Sequence, residues 1–127
     1  MKKVGVSLLS AAGIAIGVAA PALAHHGWAW TSPDPFVLEG TITEIYIGNP
    51  HVTLKVQAEA GEWHVDLAPL MRSTEAGFVE GVASVGDAVT LYGHRSLFAD
   101  ELSMKAVRVV VNGNTYDVYD DRLAPFI

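Results

Sequence analysis

The sequence has no cysteine. That excludes a disulfide scaffold, a thiolate zinc site, an iron–sulfur cluster and a catalytic thiol. It also excludes a lipoprotein anchor, which needs a Cys at the cleavage point. Basic residues are few, with 8 Lys+Arg against 14 Asp+Glu in 127 residues. The resulting charge of −6 argues against a nucleic-acid partner, because phosphate binding needs a basic surface. Only 17% of residues are charged and half are hydrophobic, which is too apolar a balance for a disordered chain. No nucleophile-elbow motif and no zincin helix spacing is present, so neither a serine hydrolase nor a zincin is indicated.

One long apolar run is present, at residues 4–20, and it follows Lys2 and Lys3. Pro21, Ala22, Leu23 and Ala24 then place small residues at the −3 and −1 positions of a cut after Ala24. This is the pattern of a secretory signal peptide. A retained membrane anchor is the alternative, but the run is near the short end for a bilayer span. The expected organisation is a signal peptide at 1–24, an N-terminal arm at 25–35 and a single β-barrel domain at 36–127. Cleavage removes two lysines and no acid, so the mature chain is more acidic still. Its expected location is the periplasm or outside the cell, with no membrane contact after cleavage.

That cut would make His25 the first residue, followed by His26. An N-terminal His offers its amine and its Nδ1 to one metal, closing a chelate ring. A second imidazole then completes a three-nitrogen, T-shaped set. Cu(II) prefers tetragonal nitrogen ligation and leads the affinity order of the divalent metals. His26 in second position offers a different chelate, through its imidazole, the amine and the intervening amide nitrogen. A solvated His pair on a loose terminus is the plain alternative.

Beyond the arm the pattern is β throughout. Residues 51–58 (HVTLKVQA) alternate, with Val52, Leu54 and Val56 on one face. Residues 62–67 alternate with Trp63, Val65 and Leu67 inward. Further strands are expected at 36–47, 88–94, 102–111 and 114–119, with Asn112-Gly113 as a hairpin turn. Gly40 is a candidate bulge. A short helix is expected around residues 72–80. Five or six short strands, broken after the third, fit a small OB-like Greek-key barrel. A small β-sandwich is the rival architecture.

The three internal histidines, His51, His64 and His94, all fall opposite the apolar set of their strands. They are therefore expected outside the core, where they could meet the N-terminal arm. His51, beside the Asn49-Pro50 turn, is the preferred internal ligand, followed by His94 and then His64. Asp66, Asp100 and Glu101 are candidate partners for an imidazole N–H. Met71 and Met104 are expected as core filler, although a thioether would suit Cu(I).

The chain resembles the small exported bacterial proteins grouped as DUF6152, a family defined without a function. The resemblance rests on a leader ending in His25-His26, the run Gly40-Thr41-Ile42-Thr43-Glu44 and the turn Asn49-Pro50-His51. Val85-Gly86-Asp87, Leu91-Tyr92-Gly93 and the Asn112-Gly113 hairpin add to it. Many relatives carry Ser-Phe after the two histidines, where this chain has Gly27-Trp28. The resemblance implies no activity. It implies that the double His and the Asn-Pro-His belong to one pattern. Two functions follow from the residues. One is a copper-binding carrier or sequestration protein, with a copper oxidase as its enzymatic variant. The other is a metal-independent module binding a peptide, a glycan or an envelope protein partner.

Overall fold

The structure is a computed structural model, and it describes residues 27–127. The chain divides at Trp30 into Met1–Trp30 and Thr31–Ile127. Of the first unit only residues 27–30 are described. They form a turn in which Trp30 Nε1 donates to the Gly27 carbonyl at 3.1 Å.

The second unit holds six strands. They are β1 (Phe36–Tyr46), β2 (His51–Ala58), β3 (Gly61–Pro69), β4 (Ala88–Arg95), β5 (Ser103–Val111) and β6 (Asn114–Asp117). A six-residue helix, α1 (Leu70–Glu75), follows β3, and two 3₁₀ turns (Asp120–Arg122 and Ala124–Phe126) end the chain. β1, β2 and β3 form an antiparallel meander. β4 returns beside β1, and β5 lies antiparallel to β4. A short parallel pairing, Val65 with Met104 and Asp66 with Lys105, joins β3 to β5 and closes five strands into a barrel. β6 extends the sheet from the far half of β5. The barrel is OB-like.

Alternation explains the core. Val52, Leu54 and Val56 of β2, Val65 and Leu67 of β3, and Val107, Val109 and Val111 of β5 are all buried. Met104 is fully buried among them, as filler, whereas Met71 is exposed at 75%. Closure needs bends and close approaches. Register shifts fall between Ile42 and Glu44 in β1 and between Tyr92 and Gly93 in β4. The β1 shift thus lies two residues beyond Gly40. Gly40 serves a tight approach instead, since a Cβ there would stand 2.4 Å from the Gln57 carbonyl oxygen.

The helix is shorter and earlier than the expected 72–80. Gly77, at φ +91°, lies just beyond it, in a conformation that favours glycine and cannot continue a helix. Phe78 turns inward, 1% exposed, with its ring edge-on to Tyr116 at 5.5 Å. Arg72 secures the C-terminal segment. Its Nε donates to the Val118 carbonyl at 2.9 Å, its Nη2 pairs with Asp121, and its guanidinium lies 4.5 Å from the Tyr119 ring centroid. Val118 and Tyr119 are buried as a result.

Candidate functional site

Alternation along β3 sends Trp63, Val65 and Leu67 inward and leaves His64 and Asp66 on the outer face. Two residues apart, they point the same way and meet. His64 Nε2 lies 2.9 Å from Asp66 Oδ1. An ionised carboxylate only accepts, so Nε2 carries the proton and donates. In the neutral ring the lone pair is then on Nδ1, which has no partner among the described residues. The His64 side chain is 49% exposed and that of Asp66 only 13%. The hydrogen bond to Asp66 is the main reason the His64 pKa is raised, and partial burial opposes it. The Asp66 charge adds to the rise, and the smaller effects of Lys55 and Glu44 oppose each other.

Those charges follow from register. Glu44 of β1 pairs with Lys55 of β2, which pairs with His64, which pairs with Ser103 of β5. The next outward row runs Thr53, Asp66, Lys105 and His94. Lys105 is 3% exposed, with Nζ 5.6 Å from the Tyr119 ring centroid. Burial pushes its pKa down, and the Asp66 charge opposes that shift. Burial pushes the Tyr119 hydroxyl up. Sequence reasoning missed Lys105. The signal was a cation set between Met104 and Ala106 in a largely apolar strand.

His94 departs from expectation. Strand parity places it outside the core, yet it is buried at 9% exposure. Its Nδ1 donates to the Asp34 carbonyl at 3.0 Å, and its ring lies edge-on to Phe126, centroids 5.8 Å apart. The final 3₁₀ turn covers the outer face of β4 at this point. Strand parity says which way a side chain points and not what later folds over it. His51 opens β2, half-buried, in register with Pro69 of β3. That lies five residues along β3 from His64, roughly 16 Å at strand rise. The three internal histidines therefore occupy separate stations, and no cluster of three or more His, Cys, Asp or Glu is formed among the described residues. A groove of about 620 Å³ beside α1, lined by Met71, Arg72, Glu75 and Asp120 among others, includes none of them. His25 and His26 lie outside the described residues.

Of the candidate acids, Asp66 does meet an imidazole. Glu101 instead accepts from Ser96 Oγ at 2.9 Å, and Asp100 is exposed. No helix among the described residues is long and apolar enough to cross a membrane.

The raised His64 pKa has a definite consequence. The folded state holds this proton more tightly than the unfolded chain, whose value is near 6.5. The stabilisation from the pair is fully present below that pH and is lost as pH rises through the folded value. His64→Gln is expected to remove this slope, measured by urea denaturation across pH 5–9, roughly the window of imidazole titration.

No protein-family model matches the chain, and no curated protein matches it. Among solved structures, it is similar to a complex of TiaS with tRNA and ATP at 19% identity and a TM-score of 0.48, over 61% of this chain and 18% of that one. A ZRD-deleted TiaS mutant in complex with agmatine aligns at 18% identity and a TM-score of 0.48, over 66% of this chain and 26% of that one. Tetrameric p202 HIN2 aligns at 15% and 0.44, over 63% and 43%. The chain thus spans less than half the length of each. What those proteins bind carries nothing over to this one.

Proposed function

We propose that the protein is exported, loses residues 1–24, and binds Cu(II) through the amine and imidazole of His25 with His64 as the internal ligand, as a periplasmic carrier or sequestration protein. His26 offers the alternative N-terminal chelate. The observation that supports the reading best is the His64–Asp66 pair. A metal-bound imidazole commonly donates its other N–H to a carboxylate, which fixes the tautomer and strengthens the donor nitrogen. Asp66 would do this for His64, leaving Nδ1 for the metal. On the strength of that pair we propose His64 as the internal ligand, although the sequence alone favours His51 and then His94. His94 has Nδ1 committed to a backbone carbonyl in a covered position. The acidic chain attracts the cation, and the resemblance to DUF6152 is consistent with a recurring His-His leader junction.

The test is a Cu(II) affinity series by chelator competition on mature protein. His64→Gln is expected to weaken binding about tenfold or more, equivalent to ~1.4 kcal/mol. His51→Gln is expected to leave it near the parent value. A His64→Gln protein with parent affinity would remove His64 from the site.

One observation favours the second reading, a metal-independent binding module. Leu97 and Phe98 are 56% and 54% exposed on the loop between β4 and β5, where OB-type barrels commonly take ligands. The loop is held in shape by Ser96–Glu101 and by Arg95 Nη2 on the Ala99 and Glu101 carbonyls. Peptide or glycan binding that survives chelation and is lost in Leu97→Ser/Phe98→Ser would establish it.

A further inference from the structure

The β5–β6 hairpin turns on Asn112-Gly113, with φ +53° and +76°. The Asn112 side chain is exposed, yet it is committed. Its Nδ2 donates to the Asp87 carboxylate at 3.0 Å and to the Val82 carbonyl at 3.2 Å. It clamps the hairpin to the segment between α1 and β4, the segment that carries the buried Phe78. Asp87 shapes the same segment by accepting the Ser84 N–H at 2.8 Å.

The residue after an asparagine decides whether its amide can be lost. The backbone nitrogen of that residue is the nucleophile, and a side chain on it obstructs the attack. The chain has three asparagines. Asn49 precedes Pro50, whose nitrogen bears no proton, and Asn114 precedes the β-branched Thr115. Asn112 alone precedes a glycine.

We infer that Asn112 is a self-modification site whose reaction is restrained by its clamp on Asp87 and Val82, and whose product opens that clamp. In the first step the Gly113 nitrogen loses its proton and bonds to Asn112 Cγ. The Cγ–Nδ2 bond breaks and Nδ2 leaves as ammonia, giving a cyclic imide. Water then adds to the imide and breaks one of its two C–N bonds, giving aspartate or isoaspartate. Nothing is oxidised or reduced, and water is the only co-reactant. To present Cγ to Gly113, the carboxamide must leave both acceptors, so the native clamp slows the reaction. Afterwards the two N–H donors are gone. An aspartate at 112 would face the Asp87 carboxylate as a like charge, and isoaspartate would add a backbone methylene to the turn.

The test incubates the full mature protein in mildly alkaline buffer, followed by intact mass and by peptide mapping that separates aspartate from isoaspartate. Conversion is expected at Asn112 and not at Asn49 or Asn114, several-fold faster in Asp87→Ala and in denaturant, and absent in Asn112→Gln. Asn112→Asp imitates one product without waiting for the reaction. Its amides in residues 77–87 are expected to exchange hydrogen faster than the parent's. An unfolded chain that does not convert at Asn112 would overturn the site. An Asp87→Ala protein converting at the parent rate would overturn the restraint. Unchanged exchange in Asn112→Asp would overturn the opening of the clamp.

Discussion

Gly93→Ala is expected to destabilise the protein by about 3–5 kcal/mol, or to prevent folding. A Cβ at this position would stand 2.0 Å from the Lys105 carbonyl oxygen and 2.8 Å from Ala106 Cα. Both atoms are backbone, so no side chain can swing away. β4 and β5 would have to separate where the register shifts, in the middle of the closed barrel. Gly113→Ala is the informative control. Its φ of +76° costs a substituted residue about 1–2 kcal/mol, but nothing lies within 4 Å of the new Cβ. Urea denaturation of both variants should therefore separate a steric effect from a conformational one. Equal losses would show that the close approach at Gly93 does not govern the barrel.

Asp66→Ala is expected to cost about 1–3 kcal/mol, because the carboxylate is only 13% exposed and serves both the half-exposed His64 ring and the buried Lys105. It accepts from His64, and its negative charge offsets part of the cost of burying the Lys105 ammonium on the neighbouring strand. Without it, the His64 pKa should fall and Lys105 should lose the proximity of its opposite charge. Asp100→Ala, on the exposed loop, should lie within about 0.5 kcal/mol of the parent. Chemical denaturation gives the stability, and the His64 ring signals in an NMR titration give the pKa. An Asp66→Ala protein as stable as Asp100→Ala, with His64 titrating unchanged, would show that the pair is a surface contact of no consequence.

The strands with clean alternation are legible from sequence. β2 and the inward set of β3 follow a period of two, and the Asn112-Gly113 turn is marked by its residues. The break after the third strand and the OB-like plan come from the same pattern. Features set by partners distant in sequence are not legible. α1 is the exception, because it ends where Gly77 turns the chain, and a glycine at that place is a local stop signal that the expected span of 72–80 runs through. His94 reads as outward, and so it is along its strand, but Asp34 and Phe126, from opposite ends of the domain, cover it. His64 ranks last among the internal histidines by sequence, although Asp66, two residues on and of the same parity, is already a candidate partner there; the 2.9 Å contact is what singles the pair out. Lys105 is visible as a cation in a largely apolar strand. Its burial beside Tyr119 depends on a C-terminal segment that Arg72 secures.

Under the proposed function, His64 would share Cu(II) with the terminus that cleavage after Ala24 would create. The most direct test is Cu(II) EPR on mature protein whose first residue is His25, confirmed by intact mass, beside a protein with one alanine added before His25 and a His64→Gln variant. A stoichiometric axial signal with nitrogen splitting is expected from the parent, altered in the extended protein and with fewer nitrogen couplings in His64→Gln. Identical spectra from all three, or no stoichiometric signal from the parent, would contradict it.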